Sequence, residues 1–324
     1  MSGGTAAAAS LALVAGLAGS IQVAVMGRFG ERIGSFEALA ANLIFSSILA
    51  VTVLLVLRQS LAGFGDALRS PWWYWVGGGG MGVIVVLSIT VVTPLIGAAA
   101  TIGLLIAGQL AMGVAIDTYG LFGVDKVALS WPRILGVLLV AVWIGLGFVE
   151  DEGSDHWSAA PLNSKWPERI ASSGMGGGTA AAASLALVAG LAGSIQVAVM
   201  GRFGERICSF EALAANLIFS TIVATAVLLV LRQSLAGFGD ALRSPWWYWI
   251  GGGGMGVVVV LTITVVTPRI GTAATIGLLI AGQLAMGVVI DSYGLFGVDK
   301  VALSWPRILG VLLLAAGAVL ALRR

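Results

Sequence analysis

The chain has 324 residues, of which 59% are hydrophobic and only 10% charged, with a mean hydropathy of +1.03. A soluble domain carries roughly 25% charged residues, so this chain lacks the polar surface to cover a water-exposed globule and reads as an integral membrane protein. A net charge of +2, one cysteine (Cys208) and one histidine (His156) exclude a basic nucleic-acid surface, an internal disulfide and a Cys/His metal or haem cluster, so neither a cofactor nor a metal is expected. Uncharged apolar runs long enough to cross about 30 Å of hydrocarbon at 1.5 Å per residue lie at about 5–26, 36–57, 71–93 and 95–117, with a shorter fifth at about 132–148. Ser35 stands where a helix N-cap belongs, with Glu37 in the first turn. Pro71 opens the third helix, Pro94 separates the third from the fourth, and Pro132 opens the fifth. The Trp-rich stretch 71–75 falls at a span end, the level that amphipathic rings prefer.

The same five runs recur at about 179–200, 210–231, 245–267, 269–291 and 306–322, because Met175–Leu313 reproduces Met1–Leu139 at a constant offset of 174 with 13 differences in 139 positions. Between the copies, 150–174 is polar and charged and reads as a solvated tether. The division is therefore 1–149 for one five-helix repeat, 150–174 for a linker and 175–324 for the second repeat. Five is an odd number, so the tether leaves the bilayer opposite the N-terminus and the second copy inserts upside down. The expected fold class is all-α integral membrane, with ten transmembrane helices as two inverted-topology five-helix repeats. Lys and Arg divide almost evenly between the two sides, but Arg269, Arg323 and Arg324 replace Leu95, Val149 and Glu150 of the first copy and bias both termini towards the cytoplasm.

The run from Pro71 through Gly78, the segment Thr93–Gly97, the triplet Ala107–Gln109 and the stretch Asp117–Gly123 together resemble the YdcZ-type five-helix family of the drug/metabolite transporter superfamily. The matching pieces recur at 245–252, 267–271, 281–283 and 291–297. The resemblance implies a bacterial inner-membrane transporter built as two five-helix halves, here fused covalently, so that one chain acts as a pseudo-dimer and is expected to be monomeric. Its partners are the lipid bilayer and a small-molecule substrate that the resemblance does not specify.

An intramembrane polar side chain should point into the protein or a watery cavity. The candidates for substrate binding are Gln22, Asn42 and Gln109 with their counterparts Gln196, Asn216 and Gln283. They serve either as paired donors and acceptors near the midplane or as interhelical ties, worth about 0.6 kcal/mol on average in membrane proteins. Glu37 and Glu211 are candidates for coupling to a proton or cation, or else first-turn partners of the helix dipole. Asp117 and Asp291 read as interfacial loop anchors. The glycine runs 77–80 and 251–254 lack the Lys-Ser/Thr of a phosphate loop; they let helices touch closely and lower the cost of bending the third helix. No catalytic triad or paired acid/base motif is present, so an enzyme is not expected. The functional expectation is alternating access between the two repeats; a passive channel and an engineered fusion without cargo are the alternatives.

Overall fold

The computed structural model describes residues 3–57, 62–131, 134, 135, 138, 175–232, 237–298, 300, 309, 312, 313 and 316. Apart from those isolated positions, the expected fifth helices lie outside the described residues, as do the linker and the basic residues Arg58, Arg133, Lys165, Arg169, Arg307, Arg323 and Arg324 used for orientation. The first copy contains α1 (Gly3–Ile33), α2 (Ser35–Val56), a short α3 (Gly63–Leu68) and α4 (Trp72–Trp75). A π-helical turn (Val76–Gly80) joins α4 to α5 (Met81–Tyr119), and a 3-10 turn (Leu121–Gly123) follows. The second copy repeats this as α6 (Met175–Ile207), α7 (Ser209–Val230), α8 (Gly237–Leu242) and α9 (Trp246–Trp249), then a π-helical turn (Ile250–Gly254), α10 (Met255–Ile270), α11 (Thr272–Tyr293) and a 3-10 turn (Leu295–Gly297).

Among the described residues, seven helical runs are long and apolar enough to cross a membrane. One of them, Trp72–Tyr119, has 48 residues and is broken at Gly97 (φ 78°, ψ 164°), where the second copy divides at Gly271 (φ 85°, ψ 160°). Each copy therefore has four long apolar stretches among the described residues. The chain reverses at each break. Met26 and Asn42, eight residues either side of Gly34, both lie against Gly252, so α1 and α2 form a hairpin. Val85 and Gln109, twelve residues either side of Gly97, both lie against Gly193, so α5 folds back on itself as well.

Two boundary expectations are corrected by these reversals. Ser35 and Ser209 do not cap; they are the first helical residues, and the cap positions are Gly34 (φ 100°) and Cys208 (φ 95°), without a side-chain cap hydrogen bond. Pro94 and Pro268 do not end their helices. A proline removes one backbone donor and bends the helix, but reversal needs a residue that accepts positive φ, and that residue is the glycine three positions later.

The two copies are interleaved rather than side by side. Ala8 and Ala12 cluster with Val266 and Leu278, Gly16 faces Leu279 and Gly282, Ala24 clusters with Ile290, and Arg28 reaches the Gly297 carbonyl. Residue numbers thus ascend together along α1 and α11, and the two helices run in the same direction. The second half of α5 and α6 pair likewise: Gly108 touches Gly190, Ser194 donates to the Gln109 carbonyl at 2.7 Å, and Arg202 reaches the Gly123 carbonyl. The main core runs through both copies and includes Met26, Phe29, Leu39, Ile106 and Leu110 with Met200, Phe203, Leu213 and Ile280. Outward, Ile48, Leu55 and Val56 on α2 and Ile222, Leu229 and Val230 on α7 stay exposed, a bare apolar face of the kind that meets acyl chains.

The Trp-rich segments have two roles. Trp72 and Trp246 are about three-quarters exposed at span ends, as interfacial anchors should be. Their neighbours turn inward across the copy boundary: Tyr248 stacks on Phe29 at 5.1 Å, and Trp249 meets Phe29 and Phe45 at 5.8 and 5.6 Å. The second copy returns the contacts through Phe203 and Phe219 on Tyr74 and Trp75.

Candidate functional site

The glycine runs form the floor of two matching polar clusters. Five consecutive π-helical residues widen the turn, and a glycine-rich segment tolerates this because no β-carbon crowds the enlarged turn or the helix beside it. A β-carbon at Gly78 would stand 2.8 Å from Asn216 Oδ1, one at Gly79 would stand 2.9 Å from the Asn216 carbonyl, and one at Gly82 would stand 2.7 Å from Gln196 Nε2. The glycine face of one copy is thus packed directly beneath the amides of the other. Asn42 over Gly252 and Gln22 over Gly256 repeat the arrangement. Ser46 and Ser220 lock it, donating to the Gly253 and Gly79 carbonyls at 3.0 Å in each case.

Gln109 and Gln283 occupy a second pair of positions. Gln283 lies against Gly19, and its backbone carbonyl accepts from Ser20 at 2.8 Å; Gln109 lies against Gly193 and accepts from Ser194 in the same way. All six expected amide residues are buried. Gln22 and Asn42 share one cluster, Gln196 and Asn216 the other, and the two deeper glutamines each pack on the first helix of the opposite copy.

Several of these amides carry unspent hydrogen-bonding capacity. Asn42 Oδ1, Gln109 Oε1, Gln283 Oε1 and both side-chain polar atoms of Asn216 are buried with no hydrogen-bond partner among the described residues. A buried amide or hydroxyl without a partner costs on the order of 1–3 kcal/mol, so these groups are expensive to retain for packing alone.

The carboxylates behave differently. Glu211 is 3% exposed and accepts from the Gly63 backbone N–H at 3.0 Å, at the first residue of α3 in the other copy. Glu37 stands beside Gly237, the corresponding first residue of α8. Each therefore lies at the N-terminus of a short helix across the copy boundary as well as in the first turn of its own helix. Asp117 and Asp291 are buried near the ends of α5 and α11, the expected fourth-helix ends. Among the described residues no group of three His, Cys, Asp or Glu side chains is placed to hold a metal ion.

The serines were the residues passed over in the sequence. Their signal was their spacing: Ser46 and Ser220 lie one helical turn beyond Asn42 and Asn216. In lipid, a small hydroxyl on the same face as an amide marks the side turned towards another helix.

A bundle of long apolar helices, apolar over much of its outside and with its amide side chains buried where helices meet, defines a multi-pass membrane protein. A family model described as "Putative inner membrane exporter, YdcZ" matches residues 7–146 and again 181–320, and the chain belongs to this family. The Inner membrane protein YdcZ of Escherichia coli (strain K12) is 36% identical over 104 residues, covering 32% of this chain and 68% of that protein. A solved structure described only as a crystal structure of a protein aligns over 97% of both chains with a TM-score of 0.61 at 16% identity, a likeness of fold alone. The chain is thus a multi-pass inner-membrane protein of a transporter family rather than an enzyme family, with one family unit in each copy.

Proposed function

We propose that the chain exports a small molecule by alternating access between two inverted five-helix repeats, 1–149 and 175–324, joined by the linker 150–174 into a monomeric pseudo-dimer with both termini cytoplasmic. The observation that carries the reading is the shared direction of α1 and α11. In a meander of membrane helices, the first and fourth cross in opposite senses, so a first helix parallel to the other copy's fourth helix supports opposite insertion of the copies. Nearly identical inverted halves make the inward-open and outward-open states nearly equal in free energy, and a modest ligand preference then exchanges them. Asn42, Gln109, Asn216 and Gln283, whose side-chain oxygens have no hydrogen-bond partner among the described residues, supply the substrate contacts together with Gln22 and Gln196. The π-helical glycine turns beneath them supply the flexible element, since π turns recur at functional sites and glycine lowers the cost of bending. Ten spans complete the fold, the fifth of each repeat being the run at 132–148 or 306–322.

Topology is tested with impermeant thiol reagents on a Cys208→Gly background. Gly65 and Gly239 are exposed equivalents with open space around them. Gly65→Cys and Gly239→Cys are expected to label from opposite compartments; labelling from the same one removes the inverted reading. Transport is tested by a thermal-stability screen against cationic, anionic and neutral small molecules, followed by counterflow of any hit in liposomes. Saturable flux accelerated by substrate on the far side is expected, whereas flux that rises linearly without such acceleration points to a channel.

A further inference from the structure

A cleft of about 570 Å³ opens where α1 ends and α9 begins, lined by Arg28, Glu31, Arg32, Trp247, Tyr248 and Phe296 with Gly297. Its two arginines are in different states. Arg28 is committed: Nη1 pairs with Glu31 at 2.8 Å, and Nη2 donates to the Gly297 carbonyl. Arg32 is held through Nε by Ser244 Oγ at 3.0 Å, which fixes the guanidinium plane while its two terminal amino groups have no protein partner among the described residues. Glu31 is neutralised by Arg28, so among the described residues the cleft carries one uncompensated positive charge. A guanidinium fixed at Nε presents a planar fork that suits two oxygens of one anion.

The walls add a second requirement. Trp247 stacks on Tyr248 at 3.7 Å and lies 6.2 Å from Phe296, giving an aromatic surface beside the cation. The cleft is at the level of the exposed interfacial Trp246, where membrane headgroups lie. The same contacts recur around the counterpart residues. Arg202 pairs with Glu205 at 2.9 Å and donates to the Gly123 carbonyl, Arg206 Nε donates to Ser70 Oγ at 2.8 Å, and Trp73 stacks on Tyr74 at 3.7 Å beside Phe122 at 6.1 Å.

We infer that each of these two places is a binding site for the phosphate of an anionic phospholipid, with Arg32 or Arg206 gripping two phosphate oxygens and the Trp-Tyr pair covering the glycerol backbone. The chain then holds two such lipids. Their assignment to opposite leaflets rests on the inverted reading proposed above; their number does not. Lipid held at the seam between α1 and α9 ties together elements of the two copies that a rocking motion would separate.

The test is native mass spectrometry of the detergent-purified full chain titrated with phosphatidylglycerol, with sn-glycerol 1-phosphate as the soluble counterpart. Two bound phosphatidylglycerol molecules are expected, with one lost in Arg32→Gln, one lost in Arg206→Gln, and both weakened by about tenfold or more in the double variant. Arg32→Lys, which keeps the charge and removes the fork, is expected to weaken its site by less than Arg32→Gln, and it provides the same reading should the glutamine variant fold poorly. Retention of both lipids at unchanged affinity in the double variant overturns the site. Equal affinity for the soluble glycerol phosphate overturns its assignment to lipid. Failure of the inverted reading leaves the count of two intact and appears instead in the thiol-labelling experiment.

Discussion

Ser47 and Thr221, the same position in the two copies, face each other with their hydroxyl oxygens 2.8 Å apart. A residue meets its own counterpart only on a two-fold axis, so the axis relating the copies passes between α2 and α7 at this point. Away from it, the contacts come in reciprocal pairs: Ser20 to Gln283 and Ser194 to Gln109, Arg32 to Ser244 and Arg206 to Ser70.

A disulfide engineered at the axis is the direct check. Hydroxyls in hydrogen-bond contact bring the two β-carbons close to disulfide range. Ser47→Cys with Thr221→Cys, on a Cys208→Gly background, is expected to crosslink on mild oxidation. After proteolysis within the 150–174 joint, the two fragments then migrate together on a non-reducing gel. Fragments that separate, despite both thiols being present and oxidised, contradict the axis position.

Gly16 and Gly190 let helix backbones approach closely, and substitutions there should be costly. A β-carbon at Gly16 would lie 2.1 Å from the Leu279 carbonyl oxygen and 2.8 Å from the Gly282 α-carbon, and Gly190 meets Leu105 and Gly108 in the same way. These obstacles are backbone and do not rotate aside. Gly16→Ala and Gly190→Ala are expected to destabilise by roughly 1–3 kcal/mol each through forced separation of the helices. Gly65→Ala, with nothing within 4 Å, serves as the control. Melting temperature in detergent reads the difference, and a Gly16→Ala variant as stable as Gly65→Ala counts against the packing.

The repeat and the four long apolar helices of each copy were legible in the sequence because hydropathy and an offset of 174 need no knowledge of partners. The pairing of α1 with α11 was not. These helices are apolar on most sides, so no stripe singles out the face that meets protein. The positions of the reversals were obscured by proline and serine, which are strong local signals, while Gly34 and Gly97 look like two glycines among 47. The six amides stood out because a polar atom in an apolar run is rare. Their placement over the opposite copy's glycine face depends on the interleaving, and interleaving is a tertiary fact.

Cys208 occupies a position that its counterpart shows to be a glycine site. Its φ is 95°, close to the 100° of Gly34, and a side chain in such a region costs on the order of 1–3 kcal/mol. Cys208→Gly is therefore expected to raise stability by about 1 kcal/mol, part of the relief being offset by the greater freedom of glycine in the unfolded chain. Gly34→Cys should lower it. Thermal melts of the two variants in the same detergent check the pair, and a drop in stability for Cys208→Gly contradicts the strain.

Glu211 distinguishes a helix partner from a coupling group. Its carboxylate accepts from Gly63 N–H at the start of α3, so Glu211→Ala is expected to cost about 1–2 kcal/mol, as loss of a helix N-terminal acceptor does. Glu211→Gln keeps an acceptor and should lose less than half of that. Flux that retains its pH dependence in Glu211→Gln assigns the residue to the helix terminus. Flux that becomes pH-independent while the melting temperature stays within a degree or two assigns it to coupling.

Gln109 and Gln283 give the sharpest separation of structure from function. Each buries a side-chain oxygen with no partner among the described residues, and each lies against a glycine of the opposite copy's first helix. Methionine has nearly the same length and volume and no desolvated carbonyl to satisfy. If these amides serve packing, replacing them removes something useful and the protein weakens. If they are retained for a ligand, Gln109→Met and Gln283→Met remove an unpaired polar oxygen and leave stability unchanged or raised by up to about 1 kcal/mol each. The same substitutions should abolish the thermal shift produced by any compound found in the screen, since the ligand loses the groups that oriented it. The expected signature is a melting temperature that holds or rises together with a loss of binding. A fall of several degrees in both single variants would place the two glutamines among the interhelical ties and move the substrate site elsewhere in the bundle.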